Sequence, residues 1–199
     1  MMIGLYARRV GGVWFGVACD EQRVFGTSFA SSEQNALGSL LDCVPFNVEF
    51  QVFSEPSAFA EQVLASVKNV YDEKGVSESF LLDAERLSAY TRGVLDATAA
   101  IPVGYVASYG SVSEAAGGSP RAVGGVMATN PFAPIVPCHR VVRSDFTLGG
   151  YGGGLDVKLE MLAREKRGYM TPKMIEVGGK VLRVFPVEVV LEKLRKGER

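Results

Sequence analysis

Apolar and polar positions divide the chain into two differently patterned parts. From Ile3 to Ala30, IGLYARRVGGVWFGVACDEQRVFGTSFA carries apolar and aromatic stretches interrupted at Gly11-Gly12 and at Asp20 to Gln22, which predicts three antiparallel strands joined by short turns. A helix is expected from about Ser32 to Cys43, then a strand near Val48 to Phe53. Between Pro56 and Lys74, the spacing of Phe59, Val63, Val67 and Val70 predicts a second helix stopped at Gly75. Residues 1–84 therefore read as a small α+β domain built on an antiparallel sheet.

Residues 85–199 carry more helix signals. Asp83 opens a helical run holding Leu87, Tyr90, Val94 and Leu95 that stops at Pro102. Either Ser108 or Ser111 can cap a short helix, the latter with Glu114 in capping-box spacing, and Gly117-Gly118 ends it. Ser119-Pro120 begins the next helix, with proline at its first position. Two short helices joined by a glycine turn form a helix-turn-helix pattern within a mainly helical domain. From about residue 170 an extension reads as a hairpin, VGGKVLRVF, followed by a helix, EVVLEKLRK.

Composition narrows the class. The 199 residues are 47% hydrophobic, enough to bury one large core or two small ones. No apolar run approaches the roughly 20 residues of a spanning helix, and the start, MMIGLYARRV, lacks the pattern of a signal peptide. A cytoplasmic protein without a membrane partner is expected. With one histidine and three cysteines, none in CxxC spacing, no zinc set can be assembled, and Cys19 and Cys43 fit buried apolar positions. The net charge of -1 argues against a polybasic nucleic-acid binder. Yet residues 1–85 hold 5 Lys+Arg against 12 Asp+Glu, and residues 86–199 hold 16 against 10, so the second part alone could face a polyanion. A solvated basic face explains the same numbers.

Two local features ask for an explanation. RAVGGVMATNP places Gly124-Gly125 inside a helix, at roughly 1 kcal/mol each relative to alanine. Tight helix packing would account for it, and so would a small-residue face, Ala122 and Gly124 beside Arg121, pressed close to a ligand or duplex. The second feature is IVPCHRVV, which sets Cys138 beside the single histidine, His139. Adjacent residues of an extended segment point to opposite faces, so His139 could take the thiol proton only through a water or a local turn. Taken alone, Cys138 fits an inert core cysteine better than a nucleophile.

Read together, IPVG at 101–104, SYG at 108–110, RAVGGVMATNP at 121–131, IVPCHRVV at 135–142 and GGYGGGLDVKLEMLAREK at 149–166 resemble the O6-alkylguanine-DNA alkyltransferase family. The resemblance covers residues 101–165 in the family's order; the first 85 residues resemble it only through a strand-rich pattern compatible with its ribonuclease-H-like N-terminal domain. It implies a single-turnover methyltransferase that repairs double-stranded DNA containing O6-alkylguanine, as a monomer, with no cofactor and no metal. Cys138 would accept the alkyl group, His139 would act as base through a water, and Glu165 would orient the imidazole. Tyr109 would offer its hydroxyl to the departing guanine, Lys158 would assist, and Asn130 would organise the acceptor segment. Arg121 matches the family's arginine finger, filling the place of a flipped nucleotide. Ala122, Gly124, Ser108 and Tyr109 would line the DNA contact in the minor groove. Met127, Val141, Tyr151, Gly152 and Gly153 would wall the pocket.

Some positions depart from the family pattern. Ala128 and Thr129 stand where many relatives carry Arg-Gly, and Ala133 replaces a proline common in the pocket wall. The GGYGGG loop has neither a Walker lysine nor GxGxxG spacing, which argues against a nucleotide cofactor. Two alternatives stand beside the alkyltransferase. A Cys-His hydrolase would use the same nucleophile but has no use for Arg121 on a small-faced helix. A lesion-binding relative without transfer would have lost the cysteine that Cys138 retains.

Overall fold

The computed structural model describes residues 2–74 and 79–197. They divide into two compact units, one of residues 1–86 with 131–135 and the other of residues 87–130 with 136–199.

In the first unit, β1 (Met2–Val10), β2 (Val13–Cys19) and β3 (Arg23–Ala30) form an antiparallel meander. Its first turn holds Gly11 and Gly12 at φ 59° and 87°, the backbone that a two-residue hairpin loop needs. Helix α1 (Glu33–Leu41), capped by Ser32, carries the chain across the sheet to β4 (Glu49–Phe53), which lies parallel to β1. Helix α2 (Ala58–Tyr71) leads to β5 (Leu81–Leu82), parallel to β3, giving the order β4-β1-β2-β3-β5. The sheet is thus mixed where sequence predicted an antiparallel one, because helical crossovers return a strand in the direction it left. Ile3, Leu5, Ala18 and Phe25 meet Leu40 of α1 on one face, and Phe15 meets Tyr71 of α2 on the other. Burial on both faces explains why β2 reads as an unbroken apolar run. The predicted stop of α2 at Gly75 lies outside the described residues.

Residues 131–135 belong to this unit although they are remote in sequence. The amide of Thr27 donates to the Pro131 carbonyl at 2.8 Å, its hydroxyl donates to the Ala133 carbonyl at 2.9 Å, and Phe132 is 1% exposed.

The second unit opens with α3 (Ala89–Ala99), later than predicted. Ser88 caps it by accepting from the Thr91 amide, while Asp83 is ion-paired with Arg86 at 3.1 Å in the first unit. Strand β6 (Tyr105–Ser108) runs into α4 (Tyr109–Ala116), and a turn at Gly117-Gly118 joins this to α5 (Pro120–Ala128). Ser108 is the cap of α4; Ser111 lies inside the helix, so the capping box with Glu114 does not form. Ser119 caps α5, with Pro120 at its first position.

The segment predicted as extended is instead a single 3-10 turn, Cys138–Arg140, followed by β7 (Val141–Val142). Pro137 in front and the Arg140 amide bonded to the Pro137 carbonyl at 2.9 Å close that turn. Helix α6 (Leu155–Arg164), β8 (Lys173–Val177), β9 (Lys180–Pro186) and α7 (Glu188–Arg195) complete the unit. The predicted hairpin is present, turning at Gly178 and Gly179 with φ 57° and 76°. Its strand β9 pairs with β6, so the C-terminal segment supplies half of a four-stranded sheet ordered β7-β6-β9-β8. Val106, Val142, Leu148, Leu162, Val187 and Val190 form the core beside it. Among the described residues no helix is long and apolar enough to cross a membrane.

Candidate active site

The 3-10 turn presents Cys138, His139 and Arg140 in succession, all buried. Cys138 is 6% exposed. Burial pushes its thiol up, while a hydrogen bond from Asn130, the charge of Lys158 and the backbone amides of the turn pull it down. Asn130 also donates its side-chain amide to the Val136 carbonyl at 2.9 Å. One asparagine therefore ties the end of α5 to the segment that leads into the thiol.

His139 is completely buried, with Nε2 2.9 Å from Oε1 of Glu165. Burial holds the imidazole below its ordinary pKa, against the opposing pull of the Glu165 carboxylate. Glu165 is equally buried, and burial alone would raise it. Hydrogen bonds from His139 and Arg140 and the Arg140 charge bring it down to about 2. An ionised carboxylate only accepts, so Nε2 must carry the hydrogen, and neutral His139 then keeps its lone pair on Nδ1. Nδ1 is buried with no hydrogen-bond partner among the described residues.

Arg140 was not among the predicted site residues, yet it holds this carboxylate. Its Nε lies 2.9 and 3.0 Å from the two Glu165 oxygens, a terminal nitrogen lies 2.8 Å from Oε1, and the other donates to the Ile101 carbonyl at 2.7 Å. The Gly104 amide donates to Oε2 at 3.1 Å. The IPVG stretch thus acts through its main chain. The signal available in sequence was the pairing of a buried Glu with a cation, but only the fold reveals that Glu165 is buried.

Tyr109, the first residue of α4, is wedged between α5 and the glycine loop. A Cβ on Gly124 would lie 4.0 Å from its ring, and one on Gly149, at φ 69°, would lie 3.0 Å away. Its hydroxyl lies 3.5 Å from the Gly150 carbonyl, and burial, with the nearby Cys138, pushes the phenol up. Lys158 of α6 is fully buried and donates to the carbonyls of Val141 and Leu148 at 2.6 Å and Gly150 at 3.4 Å. Burial brings its ammonium down to about 8. All three donors are occupied by main chain, so Lys158 braces β7 against the glycine loop.

The remaining predicted positions are more dispersed. Tyr151 directs its hydroxyl toward the Met161 sulfur at 3.7 Å, while Gly152 and Gly153 are exposed. Val141 is buried in β7, and the Met127 sulfur lies 3.7 Å from the Thr98 hydroxyl on α3. Ser108 is occupied as a helix cap. Arg121 and Ala122 are exposed at the start of α5. The small face predicted at Ala122 and Gly124 is rotated by one residue: the exposed positions are Ala122, Gly125, Ala128 and Thr129, and Gly124 turns toward Tyr109. The two glycines serve different sides of one helix. No cluster of three His, Cys, Asp or Glu among the described residues is arranged to hold a metal ion.

Residues 89–167 match the family model described as the DNA binding domain of 6-O-methylguanine DNA methyltransferase. The chain is similar to the methylated-DNA-protein-cysteine methyltransferase of Methanothermobacter thermautotrophicus, 39% identical over 113 residues. That match covers 56% of this chain and 64% of the relative, just under two thirds of its length. The protein of the same name from Thermococcus kodakarensis is 32% identical over 173 residues, 82% of this chain and 96% of the relative. The crystal structure of O6-methylguanine-DNA methyltransferase from Pyrococcus kodakaraensis KOD1 superposes with a TM-score of 0.60 at 30% identity, covering 82% of this chain and 99% of that one.

Proposed function

The chain belongs to the O6-methylguanine-DNA methyltransferase family, and on that premise we propose that it repairs alkylated duplex DNA by irreversible transfer of the alkyl group from guanine O6 to the sulfur of Cys138. The observation that carries this reading is the buried chain Cys138, His139, Glu165, Arg140, in which a neutral imidazole offers Nδ1 on the side away from its carboxylate.

A thiol held up by burial is a poor nucleophile at neutral pH. Proton transfer from Cys138 through a water to His139 Nδ1 supplies the thiolate as attack begins, and Glu165 stabilises the imidazolium that results. The sulfur then attacks the alkyl carbon in line; the S–C bond forms as the C–O6 bond breaks. The O6 electrons are delocalised into the guanine ring, which regains one proton. Tyr109, whose phenol keeps its hydrogen, donates to the departing base. The thiol proton ends on guanine and the thioether stays on the protein, so each molecule acts once.

An O6 substituent lies within the base stack, beyond a buried thiol's reach, so the nucleotide must be flipped out at a few kcal/mol. Helices α4 and α5 serve as a helix-turn-helix with α5 in the minor groove. The bare face of Ala122, Gly125 and Ala128 permits close approach, and Arg121 fills the vacated position. The first unit, with its mixed sheet and crossover helices, suits the ribonuclease-H-like domain of the family, and the protein is expected to act as a monomer. The test is intact mass spectrometry after incubation with a duplex carrying one O6-methylguanine. The expected result is one added methylene mass per protein, mapped to Cys138, with guanine restored. Tight binding with no mass change would replace this reading by a lesion-binding role.

A further inference from the structure

The C-terminal hairpin brings a cation to the turn that precedes α5. Lys180, Leu182 and Val184 alternate onto one face of β9, and Leu182 and Val184 are fully buried. The Ser111 hydroxyl of α4 donates to the Arg183 carbonyl at 2.8 Å, which sets β9 against α4. At the end of that strand, Lys180 Nζ lies 3.8 Å from the position a Cβ on Gly117 would occupy. Gly117 and the next residue, Gly118, have φ 90° and 84°, and a Cβ on Gly118 would meet the Tyr90 ring at 2.7 Å. The turn is therefore backed by Tyr90 of α3 and flanked by Lys180, four positions in sequence before Arg121.

Other charges on the hairpin are differently placed. Lys173 lies 4.7 Å from the Tyr105 ring centroid and 5.6 Å from that of Tyr169, where aromatic faces engage it. Glu176 pairs with Val181, on the strand face opposite Lys180. Lys180 is exposed and enters no ion pair among the described residues. The last turn of α4 has no basic residue of its own, so the ammonium beside Gly117 is of the sign that this helix end favours. Exposed there, it can donate to a further anion.

We infer that the β8–β9 hairpin is a second duplex-contacting element beside α4 and α5, in which Lys180 binds a backbone phosphate next to the groove that α5 enters. The inference rests on the DNA-repair reading above. Lys180 supplies one sequence-independent contact, as repair at any site requires. Residues 170–186 thereby join the binding surface as well as the sheet.

Equilibrium binding to a duplex with one O6-methylguanine, followed by fluorescence anisotropy over a range of potassium chloride concentrations, tests this. The parent is Cys138→Ser, so that transfer does not follow binding. Adding Lys180→Gln should weaken binding about 3- to 10-fold and make the plot of log affinity against log salt shallower by about 0.9, the loss of one phosphate contact. Lys180→Arg should restore both, and Lys196→Gln, at the C-cap of α7, should match the parent. If Lys180→Gln keeps the parent's slope, whatever happens to its melting temperature, the lysine only caps α4 and the inference is overturned. A parent without salt-sensitive duplex binding would overturn the DNA-repair reading as well.

Discussion

Glu165 is buried without exposure yet held ionised by an imidazole, a guanidinium and a backbone amide. Replacing it with glutamine leaves Arg140 facing a neutral partner, and losing one side of a buried pair costs about 3–5 kcal/mol. Glu165→Gln should therefore show a large fall in melting temperature together with a loss of alkyl transfer, both read on the same preparation. Its folded-state pKa lies below its unfolded one, so its contribution to stability is present above an unfolded value of about 4.3 and is lost as pH falls toward about 2. His139, also depressed, adds to the same trend: the unfolded chain takes up its proton from about pH 6.5 downward while the folded one resists it. Melting temperature should thus fall continuously from pH 7 to pH 4, and Glu165→Gln should flatten the lower part of that curve. Cys138 and His139 were legible only as part of the motif set around them, because a thiol in an apolar run fits an inert core position by itself. Arg140 was not, because a cation's role depends on a carboxylate 25 positions away whose burial no local pattern reveals.

At the scale of the element, the double glycine of α5 makes a testable division. Nothing lies within 4 Å of a Cβ on Gly125, so Gly125→Ala fits and should stabilise the helix by up to about 1 kcal/mol. Gly125→Leu should keep the fold but reduce duplex affinity at least about tenfold, because the added volume stands where a groove wall must come close. Equal affinity of Gly125→Leu and the natural protein would remove α5 from the interface. Gly118→Ala is expected to lower the melting temperature, by about 1–3 kcal/mol of stability, since its left-handed backbone disfavours a side chain and the Tyr90 ring occupies the space. Helix starts were readable where serine precedes the run, as at Ser119 and Ser32. They failed where two serines competed, because the choice of Ser108 over Ser111 follows from the end of β6, and the Ser111 hydroxyl is used by β9. The start of α3 failed similarly, since Asp83 has a partner in Arg86 that periodicity does not show.

For the whole molecule, the C-terminal extension was legible as hairpin and helix, but its pairing with β6 was not, because pairing between distant strands leaves no local trace. Leu182 and Val184 are fully buried, so Leu182→Ala should cost about 2–5 kcal/mol, measured by chemical denaturation. A chain ending at residue 170 should fail to accumulate as folded protein. The parallel pairing of β4 with β1, and β5 itself, escaped prediction for the same reason: turn signals describe hairpins, whereas crossovers are set by where helices pack. Thr27 and the segment 131–135 give one more consequence. The chain leaves the second unit after Asn130, spends five residues in the first, and returns just ahead of the acceptor thiol. A gene fragment encoding residues 87–199 would release Phe132 into water and leave the carbonyls of Pro131 and Ala133 without the amide and hydroxyl of Thr27. A break between residues 86 and 87 would thus separate the five residues that precede the acceptor turn from their anchor at Thr27.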